Sequence, residues 1–124
     1  MAPAPKVLIV EDERLIAEYF QVLVEHMGYD VCGIAMSADE AVSLAHDKHP
    51  ALVFMDVRLI GEKDGVDAAN EIHKVSDVPI VYITGSTEQE TIDRIHTDHP
   101  SDVLIKPVMA EQLEKALSEF CPLP

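Results

Sequence analysis

Short apolar runs alternate five times with amphipathic stretches along the chain. The runs have the length and aliphatic content of strands buried on both faces, and they cover residues 7–10, 29–35, 51–55, 79–83 and 102–105. Apolar residues in the stretches between them recur at helical spacing, as at Leu23, Val24 and Met27. The pattern therefore predicts a strand followed by a helix, five times over.

Signals at the predicted helix ends support this division. Gly28 follows the first helix, at a position where a left-handed residue often ends a helix. Ser37 and Glu40 have the spacing of a capping box at the start of the second helix. Thr87 and Glu90 repeat that spacing at the fourth. The third helix is predicted to turn four apolar side chains inward: Val66, Ala69, Ile72 and Val75.

Strands that alternate with helices predict the fold class. Each helix must return the chain to the same edge of the sheet, so the strands are parallel and helices cover both faces. The expected architecture is a three-layer α/β domain. Ligands of such sheets bind beyond the carboxyl ends of the strands, and the residues that close the strands are the first candidates for a functional site.

Composition narrows the class of protein. The 124 residues include 9 Lys and Arg against 23 Asp and Glu, a net charge of −14, and 48% of the chain is apolar. That apolar fraction supports a folded core rather than disorder. Nucleic acids and anionic membranes are bound by clustered Lys and Arg, so the acidic excess argues against both as partners.

The cysteines and the first residues indicate the compartment. Cys32 and Cys121 lie outside any C-x-x-C pattern, which favours two reduced thiols over a disulfide framework or a zinc ribbon. Residues 1–6 read MAPAPK and lack the long apolar segment that secretion or membrane insertion requires. The protein is expected to be cytoplasmic.

Five polar or charged residues close the predicted strands. They are Glu11 and Asp12 after the first strand, Asp56 after the third, Thr84 after the fourth and Lys106 after the fifth. Each alone has a structural explanation, such as an acid beside a helix start. Because the carboxyl ends of parallel strands share one edge of the sheet, all five are expected to lie together.

Three carboxylates held together repel one another, and a hard divalent cation relieves that repulsion. Mg²⁺ prefers oxygen ligands and typically binds one or two carboxylates plus a phosphate oxygen. An aspartate beside it can attack a phosphoryl group and form an aspartyl phosphate, while an ammonium and a hydroxyl bind the phosphoryl oxygens. The five residues suit magnesium-dependent phosphoryl transfer onto Asp56.

Four segments carry a resemblance to a known family: VLIVEDE, VFMDVRL, ITGS and LIKP. From Lys6 to about Phe120 the chain resembles the receiver domains of two-component response regulators. The resemblance implies a flavodoxin-like, doubly wound sheet of strand order 2-1-3-4-5. It also implies a single receiver domain over residues 1–124, with its core at about 6–120, that catalyses only its own phosphorylation and dephosphorylation.

The resemblance also implies roles at the metal site. Asp56 is implied as the acceptor of a phosphoryl group from a histidine kinase or a histidine phosphotransfer protein. Asp12, Asp56 and the backbone carbonyl of Arg58 are implied as direct Mg²⁺ ligands. Glu11 is implied to act mainly through water.

The remaining implied roles concern the phosphoryl group and the output. Thr84 is implied to bond the phosphoryl group and Lys106 to pair with it, next to a cis Lys106–Pro107 bond. Phosphorylation would change which downstream protein binds, and the face of helix 4, strand 5 and helix 5 is its first candidate surface. A short tail after helix 5 leaves no room for an output domain, so a stand-alone regulator is expected.

The chain also departs from the family pattern. Val103 stands three residues before Lys106, where the family commonly has an aromatic residue that moves on phosphorylation. Tyr82 lies on a buried strand, and a core role is its default interpretation. Ile60 replaces a common Pro, and the loop has one extra residue before Asp64.

Several alternatives stay open at this point. The chain could be a receiver-like binding module that does not switch, a phosphate sink or shuttle, or a receiver excised from a longer protein. The pairs His46-x-x-His49 and His96-x-x-His99 offer a competing metal site. Each pair lacks a third ligand and lies where a helix is expected to end, which favours a capping and surface role.

Overall fold

Five parallel strands form a sheet in the order β2-β1-β3-β4-β5. The structure is a computed structural model that describes residues 3–85, 89–96 and 101–124. The strands are β1 Lys6–Val10, β2 Asp30–Ala35, β3 Leu52–Asp56, β4 Ile80–Thr84 and β5 Asp102–Ile105. The helices are α1 Arg14–His26, α2 Ala38–Lys48, α3 Gly65–His73, α4 Gln89–His96 and α5 Ala110–Phe120. The predicted flavodoxin-like α/β fold and its strand order are confirmed.

Two apolar cores lie on opposite faces of the sheet. One core packs Phe54 of β3 against Phe20 of α1 and Leu113 of α5. The other packs Met55 of β3 against Ile72 of α3 and includes Ile95 of α4. Neighbouring residues of β3 face different cores, and every residue of β3 is buried. This explains why its sequence is a continuous apolar run rather than an alternating one.

The helix boundaries match the sequence signals in part. Gly28 follows α1 with a φ of 100°, as a left-handed cap requires. The Ser37 hydroxyl accepts a hydrogen bond from the Glu40 amide at 3.2 Å, but the Glu40 carboxylate bonds the Met36 amide rather than that of Ser37. The predicted cap at Thr87 lies outside the described residues.

The start of α3 is a capping box that the sequence analysis did not identify. Asp64 accepts hydrogen bonds from the amides of Val66 and Asp67, at 3.0 and 3.1 Å. The Asp67 carboxylate accepts one from the Asp64 amide at 2.9 Å. Asp occupies the third helical position, where the usual signature has Glu or Gln, and the pattern was therefore missed.

The predicted inward position of Val75 is wrong. The helix ends at His73, and the Val75 side chain is 79% exposed. The His73 ring lies 2.8 Å from the Val78 carbonyl oxygen through Nε2, beside the segment that leads into β4. Helical periodicity therefore does not extend to Val75, because the chain has already turned toward the next strand.

Asp64 also accepts hydrogen bonds from the Arg94 side chain, which predicts a pH-dependent contribution to stability. Burial by itself would raise the pKa of this carboxyl, but the bonds from Arg94 and from the amides outweigh it and the pKa is lowered from 3.8. The contribution is complete above that value and is lost as the pH falls through the lower pKa of the folded state. We expect Asp64→Asn, which keeps a capping oxygen, to reduce the free energy of unfolding by about 0.5–1 kcal/mol at neutral pH. Urea unfolding across pH should show wild type and variant converging in acid, and a constant difference would contradict this assignment.

Candidate functional site

Sheet register brings the ends of four strands to one edge. Val10 of β1 pairs with Met55 of β3, so that Glu11 and Asp12 emerge beside Asp56. Asp56 in turn pairs with Ile83, the residue before Thr84. On the far side, Thr84 pairs with Ile105 of β5, directly before Lys106. The structure therefore places all five strand-closing residues at the same edge, as the sequence predicted.

The three carboxylates form a compact cluster. Glu11, Asp12 and Asp56 each offer one oxygen, and these oxygens lie within 4.8 Å of one another. Glu11 is 1% exposed and Asp56 is 3% exposed, whereas Asp12 is only half-buried. Glu11 and Asp56 thus lie below the protein surface, and Asp12 lies at the solvent-facing edge of the cluster.

Lys106 bridges the two buried acids. Its Nζ donates to Asp56 Oδ2 at 2.8 Å and to Glu11 Oε1 at 3.1 Å. The Lys106 amide donates to the Thr84 carbonyl oxygen at 2.9 Å, which fixes the end of β5 beside that of β4. The Lys106–Pro107 peptide bond is cis, as expected from the sequence.

The cluster carries more negative charge than Lys106 neutralises. Burial raises the pKa of Glu11 from 4.5, and the nearby Asp56 raises it further, against the opposing effect of the Glu13 amide and Lys106. Burial and the neighbouring Glu11 likewise raise the pKa of Asp12 from 3.8. Both shifts show that the ionised carboxylates are destabilised together, and a hard cation among them would remove that penalty. The all-oxygen donor set fits Mg²⁺.

Hydrogen bonds hold the backbone that follows Asp56 close to this residue. The Arg58 amide donates to Asp56 Oδ1 at 3.1 Å, and the Gly65 amide donates to the Val57 carbonyl oxygen at 2.7 Å. A Cβ atom on Gly65 would overlap the carbonyl oxygen of Asp56 and lie 3.0 Å from Met55 Cγ. Gly65 therefore supports the site by close approach, a role for which the Asp-Gly pair in the sequence was the only available signal.

A comparison with protein families identifies the family to which this chain belongs. The family model described as the response regulator receiver domain matches residues 7–118. The chain belongs to this family. Receiver domains are phosphorelay signalling modules of two-component systems rather than classical enzymes, and the acidic cluster fits magnesium and aspartyl-phosphate chemistry.

Individual relatives agree with this assignment. The receiver domain is 33% identical over 117 residues to the phyllosphere-induced regulator PhyR of Methylorubrum extorquens, covering 94% of this chain and 43% of PhyR. It is 38% identical, with a TM-score of 0.88, to the crystal structure of the receiver domain of a modulated diguanylate cyclase from Desulfovibrio desulfuricans G20, and the match covers 94% and 93% of the two chains. The chain spans about half the length of the curated relatives it matches.

A further solved relative contains a metal ion. The receiver domain of the sensor histidine kinase PA1611 from Pseudomonas aeruginosa PAO1 is 25% identical, with a TM-score of 0.85, and the match covers 94% of this chain and 97% of that one. Its structure has a magnesium ion coordinated in the active site cleft.

The two departures from the family pattern occupy defined positions. Val103 is half-buried against the core on the α3 side of the sheet. Tyr82, its register partner on β4, is completely buried in the same core, which supports the core interpretation. Ile60 is 60% exposed and forms an isolated parallel bridge with Ser37. The altered loop after Asp56 is thus attached to the segment before α2.

The remaining chemical candidates do not form a second site among the described residues. The His46 and His49 rings lie 6.4 Å apart between centroids, and the acidic cluster is the one group of three potential metal ligands in the described part of the chain. His99 lies outside the described residues. Cys32 and Cys121 are free thiols. Over the ranges that the structure covers, no helix has the length and apolar character needed to cross a bilayer.

Proposed function

We propose that the receiver domain accepts a phosphoryl group on Asp56 in a Mg²⁺-dependent reaction and changes its protein partners as a result. The observation that carries this proposal is the arrangement around Asp56. Asp56 is 3% exposed, and its carboxylate accepts a hydrogen bond from Lys106 at 2.8 Å and lies within 4.8 Å of Glu11 and Asp12 oxygens. A carboxylate held this way is positioned to act as a nucleophile toward phosphorus.

The transfer step follows from these positions. Asp56 Oδ attacks the phosphorus of a phosphohistidine, a P–O bond forms, and the P–N bond to the donor imidazole breaks. The Lys106 ammonium lies between Asp56 and Glu11, where it can stabilise charge on the phosphoryl oxygens. Thr84, at the end of the neighbouring strand, is proposed to hydrogen-bond the same group.

Three groups are proposed as the Mg²⁺ ligands. These are the carboxylates of Asp12 and Asp56 and the backbone carbonyl of Arg58, with Glu11 acting mainly through water. The bound ion would neutralise charge as the phosphoryl group arrives. Support comes from the oxygen cluster of this chain and from the magnesium in the cleft of the Pseudomonas receiver domain.

The proposed partners are proteins. A histidine kinase or a histidine phosphotransfer protein would supply the phosphoryl group, and an output protein would bind the face of α4, β5 and α5. On that face, Ile105 of β5 is 39% exposed and Met109 before α5 is 57% exposed. We propose that residues 1–124 form one receiver domain that functions in the cytoplasm.

Phosphoryl uptake tests the proposal directly. Wild-type protein incubated with acetyl phosphate and Mg²⁺ is expected to gain the mass of one phosphoryl group, because the metal offsets the repulsion that the acidic cluster imposes on the incoming anion. Intact mass spectrometry should show no gain when a chelator replaces Mg²⁺. No uptake with Mg²⁺ present would contradict the proposal and favour a binding module that does not switch. Uptake followed by rapid loss to a histidine phosphotransfer protein would instead indicate a shuttle.

A further inference from the structure

An ion pair connects α4 to the start of α3. The Arg94 guanidinium donates from Nη1 to Asp64 Oδ2 at 2.8 Å and from Nη2 to Asp64 Oδ1 at 3.3 Å. Nη2 also lies 3.5 Å from a carboxylate oxygen of Asp67. A bidentate pair between arginine and a carboxylate constrains orientation as well as distance. The pair therefore holds α4 and the α3 start in one relative geometry.

This pair differs from the local ion pairs of the surface. Lys74 and Glu71 pair within three residues, and their side chains are 66% and 49% exposed. Arg94 and Asp64 are 30 residues apart, on different elements, and are 44% and 28% exposed. A pair that joins separate elements and is partly shielded from water restrains tertiary structure more than a pair along one surface segment does.

Asp64 connects directly to the backbone at the acceptor. The next residue, Gly65, donates its amide to Val57 at 2.7 Å and approaches the Asp56 carbonyl too closely for a Cβ atom. The loop of residues 57–64 is thus tied at both ends. Arg58, whose amide bonds the Asp56 carboxylate, lies near the start of this loop.

We infer that Arg94 is a positioning residue for the acceptor site, holding the loop after Asp56 in its ligand-binding geometry through Asp64 and Gly65. The inference rests on the proposed function, because it assigns the loop geometry to Mg²⁺ and phosphoryl binding. Preorganised ligands bind more tightly because less ordering accompanies binding. Loss of the Arg94 pair should therefore weaken binding at Asp56 without removing any group that contacts the ligand.

Binding of beryllofluoride, a phosphoryl analogue, in the presence of Mg²⁺ measures this effect. We expect Arg94→Gln and Asp64→Asn each to raise the dissociation constant roughly three- to five-fold by calorimetry, the range that one partly exposed pair can supply. The double variant should be no weaker than Arg94→Gln alone, because that substitution already removes the ion pair with Asp64. Arg94→Lys, which keeps the charge but not the fork, should recover part of the affinity. Lys74→Gln removes an unrelated surface pair and should bind like wild type.

Amide hydrogen exchange provides a readout that needs no ligand. The Gly65 amide, bonded to Val57, should exchange several-fold faster in Arg94→Gln than in wild type and should be unchanged in Lys74→Gln. Unchanged exchange and affinity in Arg94→Gln, additive effects in the double variant, or an equal change in Lys74→Gln would each overturn the inference. If wild type fails to bind beryllofluoride, the proposed function fails, and faster exchange at Gly65 would still support the structural link while unchanged exchange would refute it.

Discussion

Asp56→Asn is expected to abolish phosphoryl uptake from acetyl phosphate and Mg²⁺. The amide has nearly the shape of the carboxylate but lacks the anionic oxygen that attacks phosphorus. Uptake by intact mass should fall below about 1% of the wild-type extent, since loss of a nucleophile removes the reaction rather than slowing it slightly.

An exposed aspartate provides the matched control. Asp47→Asn makes the same chemical change on the surface of α2 and should leave uptake unchanged. Far-ultraviolet circular dichroism should show that both variants fold. Persistent uptake by Asp56→Asn at the wild-type stoichiometry would show that another residue is the acceptor and would require a different assignment of the site.

Gly65→Ala is expected to destabilise the protein by about 2–4 kcal/mol, a large effect for one methyl group. The added Cβ would overlap the Asp56 carbonyl oxygen and lie 3.0 Å from Met55 Cγ. The overlap is with backbone at the end of a buried central strand, which a side-chain rotation cannot relieve. Either β3 or the start of α3 must move, and Mg²⁺ affinity should fall together with stability.

Gly33→Ala is the control for this substitution. Its Cβ would lie 3.3 Å from Leu44 Cδ1, the end of a flexible side chain that can shift. We expect its free energy of unfolding to change by less than about 1 kcal/mol in urea titrations. Similar losses in both variants would show that the crowding at Gly65 is relieved more easily than the geometry indicates.

Some features of the site were accessible from the sequence and others were not. The five strand-closing residues could be predicted because each apolar run marks a strand, and the polar residue that follows the run marks its carboxyl end. The capping box at Asp64 has an unusual Asp in its last position, and Val75 continued an apolar rhythm beyond the end of its helix. The capping box was missed and Val75 was misplaced because the residue pattern at each end of α3 does not reveal where the backbone enters or leaves the helix.

The secondary structure of this protein is determined by short stretches of its sequence. Apolar runs and helical spacing determined the alternation of strands and helices, the parallel sheet and the residues at its carboxyl edge, because backbone preference and burial pattern are set over a few neighbouring positions. Tertiary structure alone decided that Lys106 bridges Glu11 and Asp56, that Gly65 lies against the Asp56 backbone and that Arg94 reaches Asp64. These contacts join residues distant in sequence, and they depend on sheet register and side-chain conformations that no local pattern specifies.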